Sequence, residues 1–188
     1  MHQNDILKIT EGCASLLRKK SSIIIAIDGR CGAGKTTLAG LLAAKLGCSV
    51  FHMDDFFLRP SQRTEQRLSA PGENIDHERF LSEALLPLSE NKPFTYYPYN
   101  CRMQAFDKPV RAVPGRISVV EGVYSCHFAL WDFYDLHVFA DIDAKTQLAR
   151  IIGRDGAEAA EAFKNKWIPL EEEYFSRFKI KERAEIII

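Results

Sequence analysis

The chain has 188 residues, 46% of them hydrophobic and 27% charged, which indicates a single globular domain that can bury its own core. These fractions exclude a disordered, collagen-like or coiled-coil chain. Lys and Arg together number 25, as do Asp and Glu, so the chain lacks the basic surplus of a nucleic-acid binder. The longest apolar run, at 23–27, is far shorter than the roughly 20 residues that cross a bilayer.

Short apolar runs alternate with segments of helical periodicity along the chain. The run at 23–27 is β-branched and unbroken, which is typical of a strand buried on both faces of a parallel sheet. The predicted strands cover residues 23–27, 48–53, 117–120, 136–140 and 185–188. The predicted helices cover residues 4–20, 36–46, about 76–90, 144–152 and 157–178. This alternation predicts an α/β fold, a three-layer sandwich with a mainly parallel five-stranded sheet and helices on both faces.

Residues 29–36 match the pattern G-x-x-x-x-G-K-[ST] of a phosphate-binding loop, between a predicted buried strand and an apolar-faced helix. The glycines let the backbone N–H groups turn toward a phosphate, and the helix that follows points its N-terminus at the same anion. Lys35 is expected to reach the β- and γ-phosphates of ATP, and the Thr36 hydroxyl to ligate Mg²⁺. The residues predicted to bind the nucleotide are Gly29, Arg30, Cys31, Gly32, Ala33, Gly34, Lys35, Thr36 and Thr37.

Acidic residues follow two other predicted strands: Asp54 and Asp55 follow the strand at 48–53, and Glu121 follows the strand at 117–120. Ligands of open α/β sheets sit beyond the carboxyl ends of the strands, so these acids are predicted to lie near the phosphate-binding loop. Asp54 is a candidate to accept a proton from an attacking hydroxyl, and Glu121 to hold Mg²⁺ or orient the acceptor. Asp55 is the member of the group expected to be structural.

Arg150 and Arg154 are four residues apart, just before a predicted helix break at 153–156. This spacing puts both side chains on one helix face. We predict a lid over about 150–165, in which the two arginines neutralise charge at the transferred phosphoryl group. The alternative is a pair of solvated surface arginines.

Residues 56–115 hold seven of the eight prolines and the aromatic stretch at 96–99. We predict that they form an acceptor-binding insertion within one domain spanning residues 1–188.

Two further groups carry ordinary structural interpretations. The run at 171–173 is most simply a solvated helix face, and His52, His77 and His127 lack metal-ligand spacing.

Three segments, 52–57 (HMDDFF), 73–80 (ENIDHERF) and 119–124 (VVEGVY), resemble motifs of the uridine kinase family of P-loop kinases. The similarity keeps the motif order, covers nearly the whole chain from residue 22 and includes the last predicted strand. It implies transfer of the γ-phosphoryl group of ATP to the 5′-hydroxyl of a nucleoside or similar small alcohol. The roles that the resemblance implies are a catalytic base for Asp54, ribose binding for Asp76, positioning of Mg²⁺ and acceptor for Glu121, and lid contacts for Arg150 and Arg154.

The aromatic stretch falls where this family has its base-binding loop, which implies that Tyr99 and Arg102 contact the acceptor. Family members usually carry a histidine in that loop, and this chain has none. Specificity for uridine or cytidine therefore stays open at this point.

Two other functions remain open on the sequence. A nucleoside monophosphate kinase needs several arginines around the acceptor phosphate, and the insertion contains six. A regulatory nucleotide-binding switch is less favoured, because both Asn-Lys pairs, at 91–92 and 165–166, lack the aspartate of a guanine-binding motif.

The expected partner is a small-molecule acceptor, without nucleic acid or membrane, and a homo-oligomer is left open. Five cysteines without CxxC spacing and the lack of an apparent export signal favour reduced thiols and a cytoplasmic location.

Overall fold

The computed structural model describes residues 3–188, and a five-stranded sheet forms its centre. The strands in chain order are β1 (Ile23–Gly29), β2 (Ser49–His52), β3 (Phe94–Tyr96), β4 (Tyr99–Asn100), β5 (Ala105–Phe106), β6 (Val110–Ala112), β7 (Ile117–Glu121), β8 (Leu136–Ala140) and β9 (Ile186–Ile187). The central sheet has the order β2-β7-β1-β8-β9, and its neighbouring strands all run parallel. Strands β1, β7 and β8 are buried along their whole length, as unbroken apolar runs predict.

Helices cover both faces of this sheet, so the predicted three-layer α/β architecture is confirmed. They are α1 (Gln3–Leu16), α2 (Lys35–Leu46), α3 (Glu65–Ser69), α4 (His77–Phe80), α5 (Leu86–Ser89), α6 (Ala144–Asp155), α7 (Ala157–Ala162), α8 (Ile168–Phe178) and α9 (Ile180–Arg183). Successive residues of β1 face opposite layers. Ile25 packs with Ile9 of α1 and Leu38 of α2, whereas Ala26 belongs with Phe175 of α8 to the core on the other face.

The segment at 56–115 folds as short helices and two small antiparallel hairpins, β3–β6 and β4–β5. Helix α4 begins after Asp76, whose carboxylate caps the helix by accepting a hydrogen bond from the backbone N–H of Arg79. Phe80 and Tyr96 are buried in the same core as Phe175 of α8. The segment therefore packs into the common core instead of forming a separate one.

Helix α1 ends at Leu16 and not at residue 20 as predicted, and two predicted boundaries near the phosphate-binding loop are also wrong. The strand predicted over 48–53 ends at His52, and Met53–Phe56 form a 3₁₀ turn that carries Asp54 and Asp55. This tighter turn places Met53 and Phe56, three residues apart, on one side, where both are buried.

The second error concerns the predicted break at 153–156. Helix α6 continues through Gly153 and ends at Gly156, whose φ of 88° stops the helix. Gly153 is exposed, and a single glycine on an exposed face weakens a helix without ending it. Across residues 3–188, no helix combines the length and the apolar character that a membrane crossing requires.

A buried carboxylate, Asp28, joins three elements at the end of β1. It accepts hydrogen bonds from the backbone N–H groups of Tyr124 and Cys126 and from the Tyr174 hydroxyl, at 3.2, 2.9 and 2.8 Å. The loop after β7 and helix α8 are thereby held beside the phosphate-binding loop.

Candidate nucleotide and acceptor site

At its tightest point, the phosphate-binding loop has a backbone conformation that only glycine permits. Gly29 has a φ of 131°, and a Cβ atom there would lie 2.1 Å from the carbonyl oxygen of Ala140. Helix α2 begins directly after Gly34, so its N-terminal N–H groups face the loop. The buried Lys35 ammonium donates to the carbonyl oxygens of Gly29 and Arg30 at 2.7 and 3.0 Å. The sequence motif therefore forms the expected loop with the lysine at its centre.

Oxygen ligands converge at the end of β7. The Thr36 hydroxyl donates to the Glu121 carboxylate at 3.1 Å, and Glu121 is only 4% exposed. A hydroxyl and a carboxylate are ligands that suit Mg²⁺, so this pair fits the predicted cation.

His52 also binds Glu121, which the sequence analysis did not anticipate. Its Nδ1 lies 2.6 Å from Glu121 Oε1, and this hydrogen bond is the main reason why the pKa of His52 is raised. The strand register pairs His52 of β2 with Glu121 of β7. A correct alignment of the two strands would have revealed the contact, but the sequence alone does not give that register.

The neighbouring acids Asp54 and Asp55 differ in environment. Asp54 is exposed and lines the cavity described below. Surrounding protein atoms displace water from its carboxyl group, and Glu121 carries a like charge, so the pKa of Asp54 is raised. Asp55 instead accepts a hydrogen bond from the Tyr96 hydroxyl at 2.9 Å, consistent with the structural role expected for it.

A cavity of 1170 Å³ joins the predicted catalytic residues. Its nucleotide end is lined by Cys31, Gly32, Ala33, Gly34, Lys35, Thr36 and Thr37, together with Asp54, Glu121, Arg150 and Arg154. The same cavity is also lined by residues of the segment at 56–115 and of the loop after β7, and we call this part of its lining the acceptor arm: Phe57, Leu58, Arg63, Leu68, Asn74, Cys101 and Tyr124. The structure therefore brings the phosphate-binding loop, the proton-acceptor candidate and the lid arginines to one space.

Among the residues that the structure describes, three that the family resemblance implied for acceptor binding do not line this cavity. Asp76 is buried, where it caps α4 and accepts a hydrogen bond from Gln62 at 2.9 Å. Tyr99 is buried against Phe106, with ring centroids 5.6 Å apart, and Arg102 is exposed.

The two predicted lid arginines face the loop from α6. Arg150 donates to the carbonyl oxygen of Gly32 at 3.0 Å, whereas Arg154 forms an ion pair with Asp155 at 2.7 Å. Both side chains are exposed and both line the cavity, so their role in a lid stays a prediction.

Helix α8 corrects the interpretation of residues 171–173 as a solvated face. Glu171 is buried and accepts a hydrogen bond from the backbone N–H of Cys31 at 3.0 Å, and Glu172 forms an ion pair with Arg30 at 2.6 Å. Burial raises the pKa of Glu171 to about 7. Glu173 alone remains exposed. The sequence showed three adjacent acids but not that α8 packs against the loop.

Cys31 is an unreactive member of the loop. Burial, and next the charge of Glu171, raise the pKa of its thiol to about 12. The side-chain amide of Gln147 donates to its sulfur at 3.3 Å. The thiol therefore stays protonated at neutral pH, although it lies near a helix N-terminus.

Glu73, His77 and His127 meet outside the cavity, although none has metal-ligand spacing in sequence. The imidazole rings stack with centroids 4.1 Å apart and an interplanar angle of 18°. A cation held by both rings would have to lie in both ring planes, which face-to-face stacking prevents. Burial lowers the pKa of His127 to about 3, so its ring stays neutral. The cluster therefore serves to pack the segment at 73–77 onto the loop after β7.

Comparison with known proteins gives sequence relatives and structural neighbours. No family model matches the chain. A uridine kinase of Latilactobacillus sakei is 26% identical over 156 residues, which is 78% of this chain and 72% of the relative. A uridine kinase of Halobacterium salinarum is 27% identical over 184 residues, which is 89% of this chain and 80% of the relative. The chain is therefore similar in sequence to uridine kinases over most of its length.

The fold also has a counterpart among solved structures. A possible uridine kinase from Bacillus stearothermophilus superimposes with a TM-score of 0.71, covers 100% of both chains and is 22% identical. At that identity the likeness bears on the fold, and it confirms the predicted P-loop arrangement of sheet and helices.

Proposed function

We propose that the chain transfers the γ-phosphoryl group of ATP to the 5′-hydroxyl of a nucleoside or a similar small alcohol. One observation carries the proposal: the phosphate-binding loop, the Thr36–Glu121 pair and Asp54 line one cavity, which extends into the acceptor arm. The named uridine kinases among the relatives support the choice of a nucleoside. The kinase class rests on the site geometry and on the relatives, whereas the choice of a nucleoside as acceptor rests on the relatives alone.

The nucleotide end supplies binding groups for a triphosphate. Backbone N–H groups of the loop and the Lys35 ammonium would hold the phosphates. Thr36 and Glu121 would hold Mg²⁺, which supplies neutralisation of the phosphate charge when it is bound.

Asp54 is the proposed base. Its carboxylate takes the proton of the acceptor hydroxyl as the hydroxyl oxygen attacks the γ-phosphorus. The bond from that phosphorus to the β–γ bridging oxygen breaks, and ADP leaves with the bonding electron pair. The raised pKa of Asp54 makes it a better proton acceptor than an ordinary aspartate.

Arg150 and Arg154 are proposed to stabilise the charge on the transferred group. Arg150 already contacts the loop carbonyl of Gly32, so its guanidinium lies at the loop that would hold the phosphates. Arg154 would exchange its ion pair with Asp155 for a phosphate oxygen.

For the base-binding side we retain Asp76, Tyr99 and Arg102 as proposals from the family resemblance. None of the three lines the cavity, so the insertion would have to move before they touch an acceptor bound there.

A monophosphate acceptor is less consistent with the acceptor arm. Of the insertion's arginines, Arg63 lines this arm, whereas Arg67 and Arg79 donate to backbone carbonyl oxygens and pair with acids. One guanidinium gives a weaker grip on a phosphate than the several that a monophosphate kinase needs.

The test is an acceptor screen that couples ADP release to an optical signal, with Mg-ATP as donor. Uridine, cytidine, adenosine, nicotinamide riboside, pantothenate and nucleoside monophosphates would be compared, with Lys35→Ala as the inactive control. We expect ADP release that depends on a nucleoside and is lost in Lys35→Ala. Release independent of any acceptor would contradict the proposal.

A further inference from the structure

Asn74 has a buried side-chain amide that the protein itself does not satisfy. Within residues 3–188, neither its Nδ2 nor its Oδ1 has a hydrogen-bond partner, and the residue is only 7% exposed. Asn74 nevertheless lines the acceptor arm of the cavity. Buried polar groups are nearly always hydrogen-bonded, so an amide without a protein partner in a cavity wall pairs with whatever occupies the cavity, water or a ligand.

The backbone on the C-terminal side of Asn74 is fixed to the turn that carries Asp54. Ile75 forms an antiparallel bridge with Phe57, and the Asp76 N–H donates to the carbonyl oxygen of Phe56 at 2.7 Å. Asn74 is therefore held close to the proposed base by two backbone contacts.

Tyr124 is a weak partner of the Asn74 amide. Burial raises the pKa of the Tyr124 hydroxyl and hydrogen bonding from Asn74 partly offsets this effect, although the contact lies outside normal hydrogen-bond geometry. Tyr124 has a φ of 72°, an uncommon value for a tyrosine, and it follows closely after Glu121 on the same cavity wall. Such a conformation is typical of functional sites.

We propose that Asn74 binds the acceptor and selects one with a neutral polar edge that offers both a hydrogen-bond donor and an acceptor. An asparagine amide presents two N–H donors and a carbonyl acceptor, so a pair of adjacent hydroxyls or a ring lactam satisfies it. A phosphate oxygen would leave the Asn74 carbonyl oxygen unpaired. The inference rests on the proposed function, because it assigns the nucleoside to the acceptor arm.

The test measures uridine binding by calorimetry, in the presence of Mg²⁺ and a non-hydrolysable ATP analogue. For Asn74→Ala we expect the Kd of uridine to rise about 10- to 100-fold, because both hydrogen bonds are lost. The Kd of the ATP analogue should stay within about twofold of wild type. Asn4→Ala, an exposed asparagine on α1, is the matched control and should leave both values unchanged.

Two analogues identify the edge that Asn74 recognises. If it binds the sugar, 2′,3′-dideoxyuridine should bind wild type and Asn74→Ala equally; if it binds the base, 3-methyluridine should do so. Thermal unfolding separates a structural role, since removal of an unpartnered amide should not lower Tm, whereas loss of a structural hydrogen bond would.

An equal Kd for uridine in wild type and Asn74→Ala, or no binding by either, would overturn the inference. Discrimination against both analogues that persists in Asn74→Ala would overturn it as well. Uridine binding that depends on Asn74, without phosphoryl transfer by the wild type, would contradict the proposed function and leave this inference standing.

Discussion

At the scale of single residues, burial and partners separate side chains that have the same chemistry. Asp54 lines the cavity near Glu121, whereas Asp55 is hydrogen-bonded to Tyr96. Only the first is placed to take a proton from a bound hydroxyl, so the two acids provide a test with a built-in control.

Asp54→Asn should lower kcat by about 10²- to 10⁴-fold, because the amide cannot accept the proton. The KM for Mg-ATP should change little, since the proposed nucleotide contacts lie elsewhere. Steady-state kinetics with a nucleoside acceptor measures both. In the wild type, the acidic limb of the kcat/KM profile for the acceptor should lie above the ordinary carboxyl value, because the pKa of Asp54 is raised in the free protein and the base works when deprotonated.

Asp55→Asn is the matched control, and it should retain most of the activity while losing about 1 kcal/mol of unfolding free energy from a weakened bond to Tyr96. Equal losses of kcat in the two variants would argue against Asp54 as the base.

Glu171 offers a second residue-scale prediction, because its carboxylate faces Cys31 and lies near Lys35 and Asp28. With a pKa of about 7, Glu171 is mostly ionised at pH 7.5. A bound triphosphate adds negative charge nearby and should raise the pKa further, so binding takes up a proton and weakens as pH rises above 7. Glu171→Gln should remove this uptake.

Calorimetry of an ATP analogue at pH 7.5, in two buffers of different protonation enthalpy, reports the proton uptake directly. Glu173→Gln, an exposed acid on the same helix, should behave like wild type. Identical proton uptake in wild type and Glu171→Gln would refute the linkage.

At the scale of elements, two C-terminal helices hold the phosphate-binding loop from outside. Helix α6 reaches it through Arg150, and α8 through Glu171 and Glu172. Arg30 joins the arrangement by pairing with both Glu172 and Asp141. The conformation of the loop therefore depends on helices that follow it by more than 100 residues.

Arg150→Ala should lower kcat by on the order of 10³-fold if its guanidinium stabilises the transferred group, in line with arginines that serve this role elsewhere. Because Arg150 is exposed, unfolding free energy should change by about 0.5 kcal/mol at most. Kinetics and chemical denaturation measure the two quantities. The control Arg177→Ala, at an exposed arginine on α8, should leave kcat and unfolding free energy unchanged. A fully active Arg150→Ala variant would show that Arg150 has no part in the mechanism.

At the scale of the whole molecule, the features of the fold that could be predicted from the sequence are the local ones. Apolar runs and the glycine-rich loop gave the five parallel strands and the loop, because those features are local. The contacts of Glu171 and His52 could not be predicted, because they depend on packing between distant elements and on strand register. The same limit applies to Asn74, whose lack of partners is visible only in three dimensions.

The central claim is that the cavity joins an ATP site to an alcohol acceptor, with Asp54 between them. Mass spectrometry of the products from Mg-ATP and uridine tests this claim most directly. With wild type we predict one uridine 5′-monophosphate for each ADP. With Asp54→Asn the amounts of both products should fall by about 10²-fold or more. ADP and inorganic phosphate without a phosphorylated acceptor from this nucleoside would contradict the claim.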